Sequence, residues 1–544
     1  MTSRFRIVPS LIVPSLMIAA GLTLAAGCGH KDGAATRGAD NIFRYPIKTS
    51  PTTFDPAMVQ DGDTIDLLQQ AFEGLVQWSP DNKVVPCLAE KWDVSKDGLT
   101  YTFHLRPNVK FQDGGSVTAS DVLYSMQRAL SPKLGSPVAL NYLGDIVGAK
   151  DVSTGKATEL KGVKVVDPRT VAITITRPKA YWIYTLTYPT DYVVSRAEAR
   201  PDAALTDLDL AKGPGTGPFK VTGYVRDSKV TLAANPAYWD GAPKLAGIER
   251  PVVIDANTRH DLYVKGDIDM LQFVSPGDLD NDAKDPALKD QVRLFPRAAT
   301  YYIGLNQKAF PAFKDVRVRQ ALAYATDKNK IVQVVFAGKR DVAEDILPKG
   351  IPGFDPAFKG LPYDPEKAKA LLVAAGYPNG KGLPPVPITY RQSQPELQKT
   401  VALIQQMWSE NLGVQVKAQV MEWTSMLDQE NKNALECYHM RWAADYLDPQ
   451  DYYSVLLRTG SSEDHVVYSN PKFDALCDAA DVSQDPAGRN VLYRQAARIA
   501  ADEVPMIPLY YQQDIELIKP NVSGIDDGLM GHLPYKHLTL AESR

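Results

Sequence analysis

Residues 86–128 constrain this chain most, because a strand, two turns and a helix are each written there in their own period. Asp97-Gly98 marks a turn. Leu99, Tyr101, Phe103 and Leu105 alternate with Thr100, Thr102, His104 and Arg106, the period of a half-buried strand. Asp113-Gly114-Gly115 marks a second turn. Thr118 is placed to cap a helix with Asp121 at the third helical position. Val122, Leu123, Met126, Ala129 and Leu130 then line one face. None of these residues carries chemistry. Together they specify a compact strand–turn–helix unit.

The rest of the chain is long enough for further domains. Its 544 residues are 44% hydrophobic and 23% charged, which is ordinary globular composition. Net charge is −4 and no long basic run occurs, which argues against nucleic acid as a partner. Strand and helix signals alternate irregularly. Asp315 is placed to cap a helix with Val318, Ala321, Leu322 and Ala325 on one face. Asp364-Pro365-Glu366 opens another, and Gly376 ends it. A longer helix is predicted over 395–411. Behind it Val414, Val416, Ala418 and Val420 alternate as a strand. Asn470-Pro471 and Asp485-Pro486 start two late helices. Residues 506–511 and 514–518 read as a closing pair of strands. This is mixed α/β, without the regular count of a single parallel barrel.

The N-terminus speaks to compartment. Arg4 and Arg6 precede an apolar run from Ile7 to Ala26, which ends in Leu24-Ala25-Ala26-Gly27-Cys28. A basic start, an apolar middle and small residues before the cut describe a secretory signal over 1–27. A Cys directly after Ala-Gly resembles a bacterial lipobox, in which Cys28 is lipidated and becomes the new N-terminus. Ala25 stands where Leu is commoner. Several acyl chains would anchor the chain stably to a membrane, and residues 28–41 would serve as tether. The alternative is an uncleaved anchor, since the run is roughly long enough to span. Pro9, Pro14 and the small residues before Cys28 argue against it. The expected location is extracytoplasmic, at the cell surface or in a periplasm. Cys87, Cys437 and Cys477 remain, without metal spacing and odd in number, so buried free thiols are expected.

Many strings along the mature chain resemble one family. Besides 86–128 these are Asp55-Pro56-Ala57, Phe72-Glu73-Gly74-Leu75, Gly215-Thr216-Gly217-Pro218-Phe219 and Asn235-Pro236-Ala237-Tyr238-Trp239. Gly266-Asp267-Ile268-Asp269, Phe313 to Leu322, Ala444-Asp445-Tyr446-Leu447-Asp448-Pro449, Tyr468-Ser469-Asn470-Pro471 and Pro505 to Tyr510 continue the series. The chain is similar to the extracytoplasmic solute-binding proteins of ABC importers, family 5, and among them to the oligopeptide- and dipeptide-binding proteins. The resemblance implies an α/β fold with two lobes hinged around a cleft and an extra domain inserted in the first. Lobe I would be 42–72, 200–298 and 515–544. The extra domain would be 73–199, and lobe II 299–514. It also implies a monomer that hands its solute to a membrane permease and that permease's ATPase subunits.

The residues offer little to an enzyme. The seven histidines (30, 104, 260, 439, 465, 532, 537) form no His-x-x-x-His pair and no Cys-x-x-Cys occurs, so neither metal nor cofactor is expected. No Gly-x-Ser-x-Gly elbow or Walker loop occurs. The glycine-rich stretch 213–217 leads into a strand pattern, whereas a phosphate cradle needs a helix there.

What remains is a cleft that binds. In peptide-binding relatives the Asp of Ala-Asp-Tyr pairs with the ligand ammonium, which implies that role for Asp445. A carboxylate losing water in a closing cleft needs such a partner. The alternative is a turn-capping Asp before Asp448-Pro449. Trp442 and Trp423 would wall the pocket, or else simply pack in the core. Relatives that take longer peptides meet the ligand carboxylate with cations. The matching positions here are Phe336, Leu397, Glu430 and His439, so that set is largely missing. Arg391 falls within a residue of the Arg that does this in dipeptide binders, and a guanidinium suits a carboxylate. Its alternative is an exposed surface Arg, with Arg441 and Lys339-Arg340 as further candidates. A disulfide that staples some relatives is replaced by Ala299 and Ala443. The expected ligand is a short peptide. Nickel chelates, oligosaccharides and haem are rival solutes, and a sensory or chaperone-like lipoprotein is the rival role.

Overall fold

The computed structural model describes residues 40–392, 395–461 and 463–541, so the leader, Cys28 and most of the tether lie outside the described residues. Three main sheets organise it. The first is four-stranded, in the order Ile42–Arg44, Gly247–Pro251, Lys229–Ala234, Phe219–Val225. Its first pair is parallel and the rest antiparallel. Phe43, Phe219, Val221, Leu232 and Ile248 pack there against Leu67, Leu68 and Tyr535.

The second sheet holds the module read at 86–128. Ala89–Val94, Thr100–Leu105, Thr170–Thr174 and Val163–Asp167 pair antiparallel in that order. Tyr101, Phe103 and Leu105 are buried and Thr100, Thr102 and His104 only partly so, the alternation expected. Helix Ala119–Ala129 begins with the Thr118/Asp121 capping box and buries Val122, Met126 and Ala129. The end of that helix ties two motifs together. Arg128 forms a bidentate ion pair with Asp55, through Nη1 at 3.1 Å and through Nη2. Both side chains are almost completely buried.

The third sheet has six strands, in the order Met270–Leu271, Met506–Ile518, Val292–Leu305, Cys437–Ala443, Val386–Arg391, Val416–Met421. The closing segment differs from the expected pair of strands. Met506–Ile518 is one strand of 13 residues, running along the 14-residue Val292–Leu305. Gln512 and Gln513 carry no turn chemistry, so the chain stays extended through them. The pairing breaks its register instead, between Pro296 and Thr300. Strand Val416–Met421 forms as expected, but its apolar residues do not all reach a core. Val416 is buried, while Val420 is 62% exposed. It is the edge strand, paired among the described residues with Val386–Arg391, and Val420 faces away from the core.

The helices around this sheet start where their caps predict. Asp315 accepts from the Arg317 N–H at 2.9 Å and opens Val316–Tyr324. Asp364, Asn470 and Asp485 cap Pro365–Ala374, Pro471–Val482 and Pro486–Glu503 in the same way. Helix Pro395–Leu412 buries Leu397, Val401, Ile404 and Trp408.

Ionic contacts reinforce the two long strands near the register break. Arg297 donates to Asp514 at 2.6 Å and to Asp527 at 2.9 Å. His532 Nε2 lies 2.8 Å from Glu516. Its Nδ1 lies 2.8 Å from Asp527 Oδ1, at an angle that makes an ion-pair contact rather than an aligned hydrogen bond. Burial opposes the imidazolium, but the two carboxylates win and hold its pKa up at about 10.

Candidate functional site

Several strings that carry the resemblance turn out to serve one buried carboxylate. Glu73 accepts from Tyr238 at 2.6 Å, Thr216 at 2.8 Å and Trp239 at 3.0 Å, with Cys87 Sγ at 3.6 Å. Four motifs therefore meet at one point between the first and second sheets. Burial pushes the Glu73 carboxyl up despite those four donors. Arg319 is similar in kind. It is buried and donates to the carbonyls of Phe313, Glu503 and Val504, closing the C-terminus of helix Pro486–Glu503. These motifs hold the frame. Cys87, Cys437 and Cys477 are buried and unpaired.

The binding residues read from sequence gather at one end of the six-stranded sheet. Arg391 ends strand Val386–Arg391, and Trp423 opens helix Trp423–Asn431. The Arg391 guanidinium lies 4.5 Å from the Trp423 ring. Burial, then the nearby Arg441 charge, lowers its pKa from the usual guanidinium value. Arg441 sits opposite Tyr301 across the strand pair and donates to Gln512 at 2.8 Å. Arg391 and Trp423 therefore form a unit.

Asp445 follows strand Cys437–Ala443, past Trp442. The two share a partner. Trp442 Nε1 and the Asp445 backbone N–H both donate to Asp451 Oδ2, at 3.0 and 3.1 Å. Asp451 is fully buried, and its Oδ1 has no acceptor role among the described residues. Burial pushes the Asp445 carboxyl up to about 6, Glu463 adds to the rise, and a hydrogen bond from Tyr142 opposes it. Burial, and then Asp445 itself, pushes the Asp451 carboxyl well above its ordinary range. Two carboxyls so close in a dry site do not both ionise. Trp442 and Trp423 are each partly buried, packed on the core of Tyr438, Met440 and Tyr452.

Tyr142 is the residue that sequence reasoning missed. It lies in helix Ala139–Leu143, beside the second sheet, and stacks on Tyr188 at 3.7 Å and 9°. Nothing in its local sequence marks it. Its meeting with Asp445, some three hundred residues on, is made by tertiary structure alone. Asp451 was closer to hand, six residues beyond Asp445. A second contact runs alongside, where Tyr181 stacks on Tyr446 at 5.6 Å and 5°.

The other cation positions are closed. Phe336, Leu397 and His439 are buried, and burial holds the His439 pKa down at about 4, so its ring is neutral. Glu430 is buried and pushed up to about 7. Ala299 and Ala443 stand directly opposite each other in register. Among the described residues no cluster of His, Cys, Asp and Glu is suited to a metal, and no helix is long and apolar enough to cross a membrane.

Comparison with known proteins places this frame. The profile described as Bacterial extracellular solute-binding proteins, family 5 Middle, matches residues 83–464. Heme-binding protein A of Haemophilus influenzae is 30% identical, over 95% of this chain and 97% of that protein. Dipeptide-binding protein DppE of Bacillus subtilis is 30% identical, over 93% of each. The solved structure of the Escherichia coli murein tripeptide binding protein MppA matches with a TM-score of 0.76 at 28% identity, covering 92% of this chain and 98% of that one. On this likeness of sequence along nearly the whole chain, and of fold, the chain belongs to the bacterial extracellular solute-binding proteins, family 5.

Proposed function

We propose that this chain is the lipid-anchored binding component of an importer and that it captures short peptides. Asp445 takes the ligand ammonium, Arg391 takes its carboxylate, and Trp442 and Trp423 wall the space beside them. Lobe I (42–72, 200–298, 515–544) and lobe II (299–514) close over the ligand by a hinge motion. The inserted domain (73–199) supplies Tyr142 to the ammonium end. The loaded monomer docks on a permease driven by ATPase subunits. The observation that carries the reading is the Asp445 carboxyl, partly buried, raised to about 6 and without a cation among the described residues. A carboxyl in that state gains most from an arriving ammonium. Isothermal calorimetry with di- to pentapeptides tests it, and no heat from any of them sinks the peptide reading.

The raised carboxyl makes binding pH-dependent. The ammonium pairs with the ionised form. Above about pH 6 that form is already present, and affinity is flat. Below it, binding must first expel a proton, and affinity falls by up to about tenfold per pH unit. Titrations at pH 7.5 and pH 5 measure this. Equal affinity at both would remove Asp445 from the ammonium site.

The anchor rests on Cys28 and the small residues before it. In a bacterial host, labelled fatty acid enters the wild-type chain, and Cys28→Ser receives none. Label retained by that variant would place the modification elsewhere.

A further inference from the structure

Arg340 lies four residues beyond Phe336, past the left-handed residues Ala337 and Gly338 that end helix Lys328–Phe336. Its guanidinium rests among three aromatic rings, 4.6 Å from Phe336, 5.6 Å from Tyr510 and 5.7 Å from Tyr301. Nε and Nη1 are closed to solvent and have no acceptor among the described residues, while the residue as a whole stays partly exposed. A guanidinium does not escape this by losing its proton. The rings offset part of its charge but offer its N–H groups no proper acceptor.

Two further guanidiniums lie on the same sheet. Tyr301, which Arg340 touches, stands opposite Arg441 across the strands. Arg441 donates to the neutral Gln512, and Arg391 rests on Trp423. Glu396 is the carboxylate of helix Pro395–Leu412 that bears on Tyr510, as Arg340 does. Glu422 bears on Arg391, whereas among the described residues Arg340 Nε and Nη1 have no acceptor at all. A zwitterionic peptide supplies one carboxylate, which Arg391 accounts for. Arg340 is left over.

We propose that Arg340 receives a second carboxylate of the ligand, so that the cleft selects acidic peptides. This rests on the peptide reading above and adds a side-chain preference to it. The ligand class is a short peptide with an acidic side chain in addition to its C-terminus.

The test is calorimetry on the mature chain at pH 7.5 with Ala-Ala-Ala, Ala-Glu-Ala, Ala-Ala-Glu and Ala-Lys-Ala. At least one acidic peptide is expected to bind tenfold or more tightly than Ala-Ala-Ala, and Ala-Lys-Ala more weakly than either. In Arg340→Gln the acidic preference shrinks to within twofold, while Ala-Ala-Ala changes by less than threefold. Thermal melts confirm that the variant folds. Arg340→Met, which keeps its stem on the rings, replaces it if it does not. Acidic and neutral peptides binding equally to the wild type overturn the proposal. So does an acidic preference that survives both variants. If no peptide in the panel binds, the peptide reading itself falls and this inference falls with it.

Discussion

Asp445→Ala weakens peptide binding by a hundredfold or more. Removing one partner of a desolvated ion pair leaves the other buried and unpaired, at a cost of about 3–5 kcal/mol. Each 1.4 kcal/mol is about a factor of ten, so the loss is on the order of a hundred- to a thousandfold. Calorimetry with the best wild-type peptide reads it directly. Affinity within threefold of wild type would remove Asp445 from the site. Asp451→Asn acts differently, because Asp451 does not meet the ligand in this reading. Its side chain accepts from Trp442 Nε1 and the Asp445 N–H, and burial with the nearby Asp445 charge keeps its own carboxyl protonated. An amide there keeps an acceptor for both N–H groups and removes no charge while Asp445 titrates, so affinity and the acid limb of the binding curve stay near wild type. The two variants therefore separate the carboxyl that meets the ligand from its neutral neighbour.

The frame was legible because its signals are local. The strand and capping box of 86–128 are short-range patterns, and they stand as read. So do the caps at Asp315, Asn470 and Asp485. Where the reading failed, the cause was not local. Gln512-Gln513 looked like a break, but pairing with Val292–Leu305 carries the strand through it. Val420 looked buried, but an edge strand leaves it bare. The site divides in the same way. Asp445, Arg391 and the two Trp residues were named from motifs and positions along the chain. Tyr142, Asp451 and Tyr301 beside Arg340 were not, because only tertiary packing brings them there. The strongest sequence signals mark the frame for a physical reason. Glu73 and Asp55 are buried carboxylates that need several specified partners each, so they write long motifs. A ligand-binding carboxyl waits for a partner that is not in the chain, and so writes a short one.

The last carboxylate of the Ala-Asp-Tyr-Leu-Asp-Pro string carries the second large effect, and it falls on stability. Asp448 accepts from both Nη atoms of Arg489, at 2.5 and 2.6 Å, and from the Gln450 N–H at 2.8 Å. Both side chains are buried. Arg489 also donates to the Ala480 carbonyl at 2.9 Å, so the pair pins the loop after Asp445 to two helices. Its guanidinium lies 5.6 Å from Tyr181, the ring that stacks on Tyr446. Asp448→Ala leaves a guanidinium buried without its counter-charge, and Arg489→Met leaves a carboxylate so. Each costs about 3–5 kcal/mol. For a unit the size of this lobe that is a fall of roughly 10 °C in melting temperature. The double variant removes both charges and pairs two apolar groups, so it recovers most of the loss. Circular dichroism melts of the two single variants and the double measure the coupling. Additive losses would mean that the pair does not act as one. Because Asp445 sits three residues from Asp448, the single variants also weaken peptide binding by loosening the loop that aims it. The double variant, neutral but packed, regains binding along with stability, which sets it apart from Asp445→Ala, in which stability survives and binding does not.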